Sequence, residues 1–396
     1  MAGALSSVPM AAEVVPYFQP ILSLQTQTVT GYESLGRRLQ GGQAGSLGPF
    51  FQNPEISDEI HLAIDRILRE KALQRIATAP HTPQLFINLK PSWMMRYYES
   101  EAKLPTLQLM AKHGVDPRQI VIEITEQEFS GRLEQLSQVV EQYRELGCRI
   151  AIDDVGSGFS NFDRIALLRP DILKIDLRLI RKSTHHEGYR ALLQAFSILA
   201  SQMGASLLVE GVETREEMQL ALLVGARFVQ GFLFSPAVAD FMEPTVFRRM
   251  LREELDWFSQ GQFKRYEEYA AVERHLNEWF ASRVTIATAD EADRVIEGLL
   301  PRMTDNCVRM YICREDGCQV SSNFVRKEGE AWERDVQFQG SNWVWRPYFI
   351  PNILAMNQSG RGNLSQTYFD LDSSRTLQTY SCPIGSGFYI FCDLAT

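Results

Sequence analysis

Apolar residues gather along this chain in short runs of strand length. "LFINL" (85–89), "IVIEI" (120–124), "RIAID" (149–153), "ILKID" (172–176), "SLLVE" (206–210) and "RFVQG" (227–231) are each rich in Ile, Val, Leu or Phe. Between them the apolar spacing becomes helical. In "RLEQLSQVVEQYRELG" (132–147), Leu133, Leu136, Val140 and Tyr143 share a helical face and Gly147 supplies a stop. Strands alternating with helices at intervals of about thirty residues predict βαβ units and parallel strands. Two earlier segments, 16–24 and 29–36, also read as extended. The short gap between them predicts an antiparallel hairpin. Eight such segments within the first 240 or so residues predict an α/β fold, a (β/α)8 TIM-like barrel with an antiparallel first strand.

After Pro236 the pattern changes. Residues 244–282 carry no strand signal, and apolar residues from Phe247 to Phe280 fall at helical spacing, with Gly261 expected to split the stretch into two helices. From about residue 283 a helix (289–300) and strand-like pieces follow, "CVRMYICR" (307–314), "TLQTYSCPI" (376–384) and "GFYIFCDL" (387–394). They predict a smaller α+β domain with an antiparallel sheet. The expected organisation is a barrel domain over 1–243, a helical connector over 244–282 and a C-terminal domain over 283–396.

Composition narrows the function classes. With 396 residues, 45% hydrophobic and 22% charged, the chain is an ordinary globular protein of two-domain length. A net charge of −9 argues against duplex nucleic acid and anionic membrane surfaces as partners, while leaving room for a nucleotide in a locally basic pocket. The six cysteines form no CxxC pair and read as buried reduced thiols. "MAGALSSVPMAAEVV" lacks the basic start of a signal peptide, and no apolar run reaches membrane-spanning length. The expectation is a cytoplasmic protein.

The chemistry lies at the strand ends. In order these carry Glu33, Asn88, Glu123, Asp153 with Asp154, Lys174, Glu210 and Gln230. In a barrel such ends converge on one face, where active sites of this fold sit. A single polar residue there is usually a loop contact. Several carboxylates in one small mouth are costly to bury unpaired, and their repulsion raises their pKa values. A divalent cation removes both penalties. Oxygen-only ligands, with no His or Cys among them, select Mg2+, Mn2+ or Ca2+ over Zn2+ or Cu2+. The acids suffice for two ions, the usual clamp for phosphoester hydrolysis. Lys174 reads equally as a partner for the attacking water or a phosphate oxygen and as an internal ion pair.

These motifs, in this order and spacing, resemble the EAL-domain cyclic di-GMP phosphodiesterases over residues 13–245. "YESLGRR" places Glu33-Ser34-Leu35 at the family's Glu-Ala-Leu. "FINLKPSWM", "IEITEQ", "IDDVGSGFSN", "RPDILKID", "VEGVET" and "VQGFLFSPA" follow. The resemblance implies a first metal held by Glu33, Asn88, Glu123 and Asp153, and a second held by Asp153, Asp154 and Glu210. It gives Lys174 the attacking water, with Glu33 and Glu210 beside it in catalysis. Gln19, Leu35, Arg37, Asp154, Glu213 and Gln230 would contact substrate, and Glu126 would anchor the loop after the Asp-Asp pair. It further implies opening of cyclic di-GMP to linear pGpG with Mg2+ or Mn2+, inhibition by Ca2+, and a homodimer. The loop departs from the family's Asp-Phe-Gly-Thr-Gly-Tyr at Val155, Ser157 and Phe159. That bears on rate and motivates the alternative: a catalytically weak or silent cyclic di-GMP receptor signalling through the connector. The C-terminal part resembles the PAS-like domain of YkuI-type EAL proteins, which implies a sensory role for an unknown small ligand or partner. Among its aromatics, Trp332, Trp343, Trp345, Tyr348 and Phe349, core packing is the favoured role over pocket lining.

Overall fold

The structure, a computed structural model, describes residues 8–99, 104–124, 133–155, 162–280, 284–327, 331–346, 349–370, 376–385 and 387–395. The chain divides into two compact units, Met1–Ser259 and Gln260–Thr396.

The first unit is built on nine strands: β1 (Val14–Ser23), β2 (Thr28–Gln40), β3 (Gln43–Ser46), β4 (Gln84–Leu89), β5 (Ile120–Ile124), β6 (Arg149–Val155), β7 (Ile172–Asp176), β8 (Ser206–Glu210) and β9 (Phe228–Val229). Their order is β1-β9-β8-β7-β6-β5-β4-β2-β3, and β1 also pairs with β2, so eight strands close into a ring with β3 added outside. β1 is antiparallel to both neighbours, and the steps from β2 through β4 to β9 are parallel. This is the expected barrel with its reversed first strand. β3 was not anticipated: "QAGS" is wholly exposed and carries no strand signal. It forms because Gly41 and Gly42, with φ of 57° and 82°, supply the left-handed pair a tight hairpin needs.

Alternation along the strands separates two cores. Outward-facing residues such as Ile87, Ile122, Ile152, Leu173 and Val209 belong to the outer core shared with the helices, while Phe18 and Tyr32 pack on Phe241. Inward-facing Ile21, Phe86, Val121, Ala151, Ile172, Leu208 and Phe228 fill the barrel as one apolar layer. The eighth place in that layer falls to Gly31, where a Cβ would stand 2.8 Å from the Gln84 carbonyl oxygen and 3.0 Å from the Phe86 ring. The glycine makes room for both the Gln84 backbone and that ring. Among the described residues no helix is long and apolar enough to cross a membrane.

The second unit is α+β, as expected. Its antiparallel sheet runs β12 (Trp332–Asp335), β11 (Asn323–Arg326), β10 (Cys307–Arg314), β16 (Phe388–Ala395), β15 (Thr376–Gly385) and β13 (Asn363–Leu364), with β14 (Tyr368–Phe369) also on β15. Met310, Ile312, Ile390 and Cys392 face the helix Ala289–Leu299, and Tyr311, Cys313, Tyr389 and Phe391 face the helix Phe349–Ser359. Phe349 is core and Trp345 is exposed; Tyr348 lies outside the described residues. All six cysteines are free and five are buried.

Between the units the expectation of a break at Gly261 fails: one helix, Arg248–Trp279, runs through it. A single glycine costs a helix only about 1 kcal/mol, and this one lies inside a 32-residue run of mostly helix-compatible residues.

Candidate active site

A polar layer lies directly above the apolar one. Two residues on from Gly31, Phe86, Val121, Ala151, Ile172, Leu208 and Phe228 stand Glu33, Asn88, Glu123, Asp153, Lys174, Glu210 and Gln230. On the reversed β1 the step runs backwards, from Ile21 to Gln19, which pairs with Glu33. The period of two thus carries every strand from an apolar to a polar inward position at one height.

The polar layer is organised around Lys174, only 1% exposed. Its Nζ lies 2.9 Å from Glu123, 3.0 Å from Asp153, 3.3 Å from Glu210 and 3.7 Å from Glu33. Four carboxylates thus surround one ammonium. Glu33 is held from both sides: Asn88 Nδ2 donates to one oxygen at 2.9 Å and Gln230 Nε2 to the other at 2.7 Å. Gln230 also donates to Gln19 Oε1 at 3.0 Å.

Neighbouring residues on a regular strand point to opposite faces, so Asp153 and Asp154 should not share the mouth. A bulge between Ile152 and Val155 resolves this. Asp154 takes a left-handed φ of 59°, and its amide donates to Asp153 Oδ1 at 3.0 Å. Oxygens of Asp153, Asp154 and Glu210 come within 4.8 Å of one another.

The electrostatics follow from this crowding. Burial pushes the carboxyls of Glu123 and Glu210 well up; Lys174 pulls them back, while Glu33 and Asp153 add to the rise. Asp154 rises through burial and the neighbouring Asp153. Burial would lower the Lys174 ammonium, but Asp153, Glu123, Glu210 and Glu33 outweigh it, and the net shift is well upward.

The donor set fits divalent cations. The Oε2 of Glu123 and the Oε1 of Gln230 are buried without a hydrogen-bond partner, and the Oε1 of Glu123 meets the Lys174 ammonium at 2.9 Å. Buried acceptors facing a surplus of negative charge are what a hard cation satisfies.

The family model for the EAL domain matches residues 4–237. The chain belongs to the EAL-domain family. Residues 241–396 match a second family, the EAL-domain associated signalling protein domain. The chain is 36% identical over 389 residues to the uncharacterized EAL-domain containing protein YkuI of Bacillus subtilis, covering 96% of this chain and 94% of that one. The crystal structure of Bacillus subtilis YkuI in complex with substrate c-di-GMP and calcium matches at a TM-score of 0.90 and 33% identity, over 100% of this chain and 98% of that chain. The cyclic di-GMP phosphodiesterase PdeL of Escherichia coli is 27% identical over 232 residues, 57% of this chain and 63% of PdeL.

Leu35 and Arg37 line a cavity of about 270 Å³ that also reaches Asn88, Lys90, Trp93, Asp65 and Arg69. Arg37 lies 5.8 Å over the Tyr17 ring, and burial lowers its pKa. Glu213 stands apart from the cage: it is half-exposed and 3.6 Å from Arg181. Glu126 and loop residues 156–161 lie outside the described residues. Sequence reasoning missed the bulge and the buried Asp65–Arg69 pair. At helical i,i+4 spacing that pair is indistinguishable from a solvated surface pair.

Proposed function

We propose that this protein hydrolyses cyclic di-GMP to linear pGpG in the barrel mouth, within a catalytic domain spanning 1–243. The observation that carries the reading is the polar layer, with Lys174 among four carboxylates and Asp153, Asp154 and Glu210 gathered beside it. The similarity to YkuI, solved with c-di-GMP and calcium, and to PdeL, a cyclic di-GMP phosphodiesterase, supports the substrate.

Glu33, Asn88, Glu123 and Asp153 would hold one Mg2+ or Mn2+, and Asp153, Asp154 and Glu210 a second. Bound there, such ions polarise the phosphoryl oxygens and lower the pKa of water. The residues do the rest. A water oxygen bonds to phosphorus as one P–O3′ bond breaks, leaving the phosphate on the 5′ side and a 3′ hydroxyl. Lys174 is a fixed positive charge at the base of the layer, placed to orient that water. Gln19 and Gln230 bracket Glu33, and Arg37 with Leu35 borders the 270 Å³ cavity beside it. Arg37 would take a phosphate oxygen. Glu213 would reach the substrate from the rim, and Glu126 would anchor the loop after Asp153 and Asp154. Ca2+, harder to seat in octahedral geometry, would bind without supporting turnover.

The reading extends to regulation by residues 283–396 through the connector 244–282, and to a homodimer. Phe162, Leu167 and Ile198, exposed apolar side chains on barrel helices, support the pairing.

The test is to incubate the full chain with cyclic di-GMP and Mn2+ and resolve the products. Steady pGpG formation is expected, and it should vanish in Glu33→Ala. Tight binding with no product over hours would sink hydrolysis and leave the receptor reading.

A further inference from the structure

Parallel barrel strands are joined by crossovers whose helices return over the barrel wall. The β1–β2 hairpin has no crossover, so part of its outer face is covered by other chain. The segment after β9 supplies that cover. Phe18 and Val238 exchange two backbone hydrogen bonds, at 2.7 and 3.0 Å. The Phe241 ring lies 4.6 Å from that of Phe18 and 4.8 Å from that of Tyr32. The Tyr32 hydroxyl donates to the Met242 carbonyl at 3.2 Å and accepts from the Met242 amide at 2.7 Å. The Val29 amide donates to the Pro244 carbonyl at 2.8 Å.

Strand alternation gives these contacts their meaning. Phe18 and Tyr32 point outward; their chain neighbours Gln19 and Glu33 belong to the inward polar layer. Gln19 is tied to the same segment, its Nε2 donating to the Ser235 carbonyl at 3.3 Å. Beside Met242 the packing is open, with a cavity of about 290 Å³ reaching Thr28, Thr30, Tyr32, His81 and Pro244. The edge is held by the Phe241 ring on Phe18 and Tyr32 together with the two bonds of the hydroxyl.

We propose that Tyr32 is a positioning residue for Glu33. Its hydroxyl, clamped on both backbone groups of Met242, ties β2 to the 235–244 segment and fixes the height at which Glu33 enters the mouth. The inference rests on the reading of Glu33 as a cation ligand.

The full-length Tyr32→Phe protein keeps the ring and removes the clamp. Mn2+ binding without nucleotide, followed by the EPR signal of the free ion, should weaken about fivefold, toward the range seen for outer partners of metal ligands. Phe241→Leu should weaken it in the same direction. Glu243→Gln, which breaks the exposed 3.5 Å pair with His81 on the same segment, should leave it unchanged. A Tyr32→Phe protein that melts earlier yet binds Mn2+ like the wild type overturns the proposal, because Tyr32 is then structural only. Wild type that binds Mn2+ but forms no pGpG defeats hydrolysis alone. Wild type that binds no Mn2+ defeats both.

Discussion

At the scale of single residues, Asp154 shows how much backbone the site controls. A left-handed φ is unfavourable for most side chains, and Asp and Asn tolerate it best. Asp154→Asn therefore keeps the bulge and loses only the charge. Removing the repulsion from Asp153 should leave the melting temperature unchanged or slightly raised, while, if Asp154 holds a cation, pGpG formation falls by at least the roughly 10–100-fold typical of outer partners of metal ligands. A melting temperature that falls in step with activity would mean the charge, not the bulge, shapes the strand. Lys174 makes the opposite case. Lys174→Met keeps the volume but leaves Glu123, Asp153 and Glu210 without their shared ammonium. Breaking such a buried pairing costs roughly 3–5 kcal/mol. Thermal melts in EDTA should show a large loss, partly recovered on adding Mn2+. Equal losses in both conditions would argue against cations in that layer.

At the scale of elements, the barrel was legible because its parallel strands are covered on both faces and read as near-continuous apolar runs. The polar layer was legible for the same reason: each acid interrupts such a run. What escaped is where geometry departs from periodicity. The bulge at Asp153–Asp154 looks like two adjacent acids and nothing more. β3 carries only one small apolar residue, Ala44, and its hairpin is set by Gly41 and Gly42. The continuous connector defeated a rule that weighs glycine as a breaker without weighing the turns on either side. Gly31 was equally silent, although the apolar layer depends on it. Gly31→Ala should push the Phe86 ring out of place and cost about 1–3 kcal/mol, the usual penalty for overpacking. Pairing it with Phe86→Leu should restore only part of that loss in denaturant melts, because the Gln84 carbonyl oxygen, 2.8 Å from the added Cβ, stays in place. An additive double mutant would show that the ring is not what the glycine accommodates.

At the scale of the whole molecule, one stretch of chain joins the barrel to the second unit. The covalent route is explicit. Met242, clamped by Tyr32, stands six residues before Arg248, where the connector helix begins. The first turns of that helix are bound back to the barrel: Gln219 donates to Glu254 at 2.8 Å and Arg215 pairs with it at 3.3 Å. The boundary between the units falls beyond those anchors, at Ser259/Gln260 and next to Gly261. Gly261 is exposed, and an added Cβ would meet nothing within 4 Å, so substitutions there act on the helix and on nothing else. Gly261→Ala should stabilise the helix by up to about 1 kcal/mol, whereas Gly261→Pro should break it at a cost of about 3 kcal/mol. If the connector transmits regulation, the two variants should differ at least threefold in pGpG formation, and Gly261→Pro should become sensitive to limited proteolysis near residue 261. Mn2+ binding, set within the barrel, should be the same in both. Equal rates alongside proteolytic opening would show that the barrel works without reference to the helix, and would remove the regulatory role of the second unit.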